Sequence, residues 1–163
     1  MRKNSSLYAY TLVALSVFFA CCILILPLPR YLSLIKPDLL CLVLIYWVAN
    51  LQERDGISLS FITGILVDLL TGVTLGVNAF SFSLMAFLTI NMRMRLRLYG
   101  VSSQILVVCF LVTVNRISLL LFMLIINKVK FSFINLLPIV ATIGIWPLVY
   151  TVLSNYQKNL RIS

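Results

Sequence analysis

Long apolar runs alternate with short polar breaks along this chain, and the run lengths predict helices that cross a bilayer. A crossing takes about 20 apolar residues, because a helix rises about 1.5 Å per residue through about 30 Å of hydrocarbon. Residues 7–26 meet that length without a charge. Pro27-Leu28-Pro29-Arg30 ends the run, since proline lacks an amide donor and restricts the residue before it. Residues 31–35 and 39–51 are apolar on either side of Lys36-Pro37-Asp38. The second piece alone is too short to cross, so the two read as one kinked span over 31–51, with Lys36 and Asp38 near one interface. Further spans are expected at 57–73, 76–92, 101–126 and 131–153. The third and fourth are near the lower length limit, which predicts a compact re-entering pair joined by a glycine-flanked turn. A tight charged hairpin, Glu53-Arg54-Asp55-Gly56, is expected between the second and third. The fold class is therefore an all-α polytopic membrane protein of six transmembrane helices, a single integral membrane domain over 1–163.

A cleaved signal peptide is the competing reading of the first run. The run is longer than a signal core, and no small-x-small site follows it. Phe18-Phe19-Ala20-Cys21 faintly resembles a lipoprotein box, but the apolar run continues through 22–26. An uncleaved first span is expected.

Composition strengthens the membrane reading. Hydrophobic residues make up 62%, charged residues 10%, and the mean hydropathy is +1.10, against about half apolar and a quarter charged in soluble domains. So few charges could not cover that much apolar surface in water. The net charge of +9 is scattered between apolar runs rather than gathered on one solvated face, which argues against nucleic acid. It serves instead to orient the spans. Six spans put Arg2, Lys3, Arg54, Arg93, Arg95, Arg97, Lys158 and Arg161 on one side, and Arg30, Lys36, Lys128 and Lys130 on the other. The richer side is expected to be cytoplasmic, with both termini there. Tyr46 and Trp47, toward the far end of the second span, and Tyr8, Tyr10, Tyr99, Tyr150 and Tyr156, near span ends, fit an interfacial aromatic belt.

Catalytic and metal chemistry find little to work with. Cys21, Cys22, Cys41 and Cys109 lie inside apolar runs without disulfide or metal spacing, and the chain has no histidine. They read as small hydrophobes. No pair of convergent acid–base or nucleophilic groups is evident, so the chain is expected not to be an enzyme and to need no cofactor.

Specific function is expected in residues 36–80, which hold all four acids, Asp38, Glu53, Asp55 and Asp68. Asp68 lies within an apolar span, where a carboxylate is costly and faces the bundle interior or a wet cavity. It is either a proton, ion or partner site, or a group satisfied by a neighbouring helix and used as interhelical glue. Arg116 is the other intramembrane charge. Counted from the cytoplasmic starts of their spans, Asp68 lies at about 16 Å and Arg116 at about 22 Å, so an Asp68–Arg116 ion pair is possible in depth. Ser60, Gly64, Asp68, Gly72 and Gly76 recur every fourth residue. They form either a close-packing stripe or, for the last two, the turn between spans, where glycine permits positive φ. Arg93, Arg95 and Arg97 are topogenic or contact anionic lipid head groups, with a cytosolic partner as a further reading.

At this window the sequence resembles the bacterial rod shape-determining protein MreD family. The resemblance is carried by Lys36-Pro37-Asp38, by 42–47 ending in Tyr46-Trp47, by Gly64 through Asp68 to Gly72, and by Thr74-Leu75-Gly76-Val77. Weaker similarity covers nearly the whole chain, including Trp146-Pro147. Arg116 is not a position that the resemblance carries over, so the Asp68–Arg116 pair gets no support from it. The resemblance implies a non-enzymatic inner-membrane component of the cell-wall elongation machinery. Its partners would be the single-span protein MreC and, through it, the actin-like MreB and the peptidoglycan glycosyltransferase and transpeptidase. Exposed faces of spans two and three would hold the MreC helix, Asp68 would fix local helix packing, and Lys36-Pro37-Asp38 would shape the outer edge of span two. It also implies a fold similar to the substrate-binding subunits of energy-coupling-factor vitamin transporters. That likeness supports an alternative, a small-solute-binding transporter subunit, which the short, featureless outer loops disfavour.

Overall fold

A computed structural model describes residues 2–25, 37–98, 101–126 and 137–161. They form helices only: α1 (Arg2–Ile25), α2 (Leu39–Asn50), α3 (Glu53–Thr71), α4 (Val77–Asn91), α5 (Arg93–Leu98), α6 (Val101–Ile125) and α7 (Leu137–Arg161). Lys36, the stretch 31–35, Lys128 and Lys130 lie outside the described residues, as do Arg30 and Tyr99.

The six longer helices alternate in direction. The ends of α1, α3 and α6 and the starts of α2 and α4 meet around one cavity, and the start of α7 joins them through Thr142. The α6 segment Gln104–Ile125 and the α7 segment Pro138–Asn155 are long and apolar enough to cross a membrane. Thr11–Ile25, Leu39–Asn50 and Val77–Asn91 are apolar but shorter.

The bundle is arranged around α2. Residues 40–49 are all buried, enclosed by α1, α3, α4 and α7 with α6 beside them. A helix apolar on every side belongs at such a centre. Apolar side chains such as Leu15, Phe18, Leu69, Leu106 and Val140 point outward instead. In water that surface would drive association; in a bilayer it is the lipid-facing surface.

Two expectations are corrected at the ends of α2. Glu53-Arg54-Asp55-Gly56 is not a hairpin loop but the first turn of α3, and the reversal falls at Leu51-Gln52. Glu53 and Asp55 favour that position because carboxylates complement the positive end of a helix. Gly56 then permits the close return: a Cβ there would stand 3.3 Å from Val48 Cγ1. Tyr46 and Trp47 are not interfacial but buried, since helices cover every side of α2. Trp47 Nε1 donates to Ser16 Oγ at 2.7 Å. Tyr46 sits edge-on to Trp47 and to Tyr150, with ring centroids 5.4 Å and 6.0 Å apart.

Candidate functional site

The hairpin of α3 and α4 is built from small residues. Gly56, Ser60, Thr63, Gly64, Val67 and Asp68 form the buried face of α3, so Ser60, Gly64 and Asp68 share one stripe. Gly64 lies against the α4 backbone: a Cβ would fall 2.6 Å from Ala79 N and 2.8 Å from Asn78 C. Any side chain there would force the helices apart. Gly72 and Gly76 leave the stripe and make the turn, with φ of 65° and 101°. Those left-handed values suit glycine because it has no Cβ to collide with the backbone.

Asp68 closes this hairpin. Its side chain is 1% exposed, and its Oδ2 accepts from the Gly76 amide at 2.8 Å. Its Oδ1 accepts from the Asn78 amide at 3.0 Å and from Asn78 Nδ2 at 2.7 Å. Gly76 is the N-cap of α4 and has no side chain to offer its first amides. The carboxylate of the preceding helix takes that duty, satisfying donors that every helix start leaves open. Its charge also complements the positive end of α4. The carboxylate thus binds helix α4 through Gly76 and Asn78.

Arg116 faces a different acid. It is half-buried on α6 and lines a cavity of about 270 Å³ together with Asp38, Thr71 and Asn78. Asp38 is the N-cap of α2: its Oδ1 accepts from Cys41 N at 3.1 Å, and its own amide donates to Thr142 Oγ1 at 2.9 Å. Thr142 Oγ1 in turn donates to Pro138 O at 2.7 Å. Pro37, next to Asp38, precedes α2 and is half-buried.

A second hollow is almost wholly apolar. It holds about 570 Å³ between α1 and α7, with Leu39, Val43 and Trp47 of α2 as its floor. Leu12, Leu15, Ser16, Phe19 and Ile23 form one wall, and Ile145, Leu148, Val149 and Val152 the other. Both walls follow the three-and-four spacing of a single helix face. The one hydroxyl among the described lining residues, Ser16 Oγ, donates to Val13 O at 2.9 Å and accepts from Trp47.

The arginine cluster forms the short helix α5, at the opposite end of the bundle from the charged cavity. Arg93 is half-buried and Arg95 exposed, while the Arg97 side chain lies outside the described set. Arg93 Nε and Nη2 are buried and make no hydrogen bond. Among the described residues no group of three His, Cys, Asp or Glu could hold a metal ion. All four cysteines are free thiols.

Sequence reasoning passed over Asn78, Thr142 and Ser16, which anchor the α3–α4 turn, the start of α2 and Trp47. Asn78 carried a usable signal: a polar residue two places after a glycine that must start a helix. Thr142 and Ser16 carried none, since a lone hydroxyl in an apolar run is equally at home bonded to its own helix.

The chain is 29% identical over 136 residues to the rod shape-determining protein MreD of Haemophilus influenzae, covering 83% of this chain and 84% of that one. No solved structure matches it. The family model for the rod shape-determining protein MreD matches residues 4–156, and the chain belongs to that family.

Proposed function

We propose that this protein is a multi-pass scaffold of the bacterial inner membrane that serves rod shape by holding the transmembrane helix of MreC. Through MreC it would help organise MreB and the peptidoglycan glycosyltransferase and transpeptidase. The family supplies the role in rod shape. The apolar groove between α1 and α7 is the observation that carries the interaction. Its walls offer two helix faces at the spacing a third helix would interlock with, and its floor includes the indole of Trp47. In lipid, helices associate by close packing rather than by escape from water, so a preformed groove is what such a contact needs.

The reading moves the docking face expected from sequence. Span two cannot offer one, because α2 is enclosed over 40–49; it contributes the groove floor instead. Span three still presents Phe61, Ile62, Leu66 and Leu69 on its outer face. The alternating helices support six crossings with both termini in the cytoplasm, the arrangement that also places Arg93 and Arg95 inside. The same arrangement is compatible with the transporter-subunit likeness. Nothing in the groove favours catalysis, and the reading is non-enzymatic.

The test is co-purification of the detergent-solubilised protein with MreC. Leu15→Trp and Leu148→Trp fill the groove from residues that are each 64% exposed, so folding should be spared. Capture should fall at least tenfold while the melting temperature holds. Undiminished capture by both variants would remove the groove from the reading. A cysteine placed at Arg95 should react with a membrane-impermeant maleimide in inverted vesicles only; labelling in intact spheroplasts would overturn the topology.

A further inference from the structure

We infer that the cavity between Asp38 and Arg116 is a binding site for a small zwitterion, a group carrying an ammonium and an anionic oxygen function a few bonds apart. Five helices, α1, α2, α3, α4 and α6, and the α3–α4 turn converge on it. Its volume of about 270 Å³ is near the lower end for small-ligand pockets and far above what one water needs. Most of the lining is apolar, including Leu24, Phe82 and Met123. A few polar groups set into an apolar wall are the usual composition of a ligand site.

The charges decide the ligand class. Asp38 enters from the start of α2 and Arg116 from α6, so a carboxylate and a guanidinium line one space. The hydrogen bonds of Asp38 go to Cys41 and Thr142. A simple anion would be drawn to Arg116 and repelled by Asp38, and a simple cation would meet the reverse. A zwitterion satisfies both walls at once, with its ammonium toward Asp38 and its anionic oxygens toward Arg116. Asn78 and Thr71 also line the space and can offer oxygen acceptors, since Asn78 Nδ2 donates to Asp68 and Thr71 Oγ1 to Val67 O. Intramembrane charges are kept where they face such a cavity. The inference is independent of the MreC reading, since the groove and this cavity share no lining residue.

Two sources carry this chemistry: the head group of phosphatidylethanolamine, or a free solute such as phosphoethanolamine. Native mass spectrometry of the full-length, delipidated protein should be run with phosphatidylethanolamine, phosphatidylglycerol and phosphoethanolamine. Wild type should hold phosphatidylethanolamine at least tenfold tighter than phosphatidylglycerol. Retention of phosphoethanolamine as well would mark the soluble zwitterion as sufficient; retention of the diacyl lipid alone would mark the lipid as the source. Asp38→Asn keeps the N-cap, because asparagine caps as well as aspartate, and should abolish the preference between the two lipids. Arg116→Gln should weaken both, and Arg116→Lys, which keeps the charge, should restore binding in part. Equal affinity of wild type for the two lipids, no binding of either zwitterion, or an unchanged preference in Asp38→Asn would each overturn the proposal.

Discussion

Replacing Asp68 separates a capping role from a charge role. In Asp68→Ala three donors, Gly76 N, Asn78 N and Asn78 Nδ2, lose their acceptor inside the bundle. An unmet buried donor costs about 1–3 kcal/mol. Allowing one of the three to find water, the loss is about 2–6 kcal/mol. Asp68→Asn is milder, because the amide oxygen can keep both bonds to Asn78. Its NH2 group then faces the Gly76 amide, donor against donor, and one bond is lost for about 1–3 kcal/mol. A chain of this length shifts its melting temperature by about 2–4 °C per kcal/mol. Asp68→Asn should therefore melt about 2–12 °C below wild type, and Asp68→Ala lower still. The assay is thermal unfolding in detergent, followed by circular dichroism. In the background Asn78→Ala, which removes one of the donors, Asp68→Ala should cost less than it does alone. Melting temperatures unchanged in both variants would refute the capping argument. So would equal losses in Asn and Ala, which would make the charge, and not the number of accepted bonds, the controlling quantity.

Gly64→Ala should destabilise the α3–α4 pair by about 3 kcal/mol or more, since the obstruction is the Ala79 backbone and not a movable side chain; the same melt reports it, and a loss below 1 kcal/mol (about) would mean the helices separate freely. Ser16→Ala leaves the buried indole N–H of Trp47 without an acceptor and should cost about 1–3 kcal/mol. Adding Trp47→Phe should recover part of that, and strictly additive losses would count against the bond. Gly72→Ala should cost about 1–2 kcal/mol because its φ is 65°, while Gly72→Asn should lose less. Asp38→Ala should cost about 1 kcal/mol more than Asp38→Asn, as expected when only the first removes a cap.

Much of the architecture is legible in the sequence because it is written in lengths. Proline and glycine punctuation separated the runs, and the turn at Gly72 and Gly76 followed from having too few residues for two spans without one. The stripe of Ser60, Gly64 and Asp68 was readable as a four-residue repeat. What lay hidden depends on neighbours. Nothing within 39–50 says that its helix is central, because an apolar run reads the same against lipid as against protein. Tyr46 and Trp47 consequently looked interfacial. Depth alone suggested Asp68 with Arg116, but depth does not fix azimuth, and so it gave no sign of the bonds Asp68 makes to Gly76 and Asn78 at the start of α4. The start of α3 at Glu53 was missed because charge was read as a loop signal when it was helix-end complementarity.

The clamp made by Asp68 bears on how the protein enters the membrane. A carboxylate emerging in a nascent apolar helix is unfavourable by up to about 3 kcal/mol on insertion scales. Its acceptor sites find their donors only when Gly76 and Asn78, eight and ten residues later, have been synthesised. In the proposed six-crossing topology the two helices should thus partition from the translocon as one hairpin, with α3 waiting for the start of α4. A chain truncated before residue 76 should leave α3 poorly inserted, and extension by a few residues through the turn should restore it.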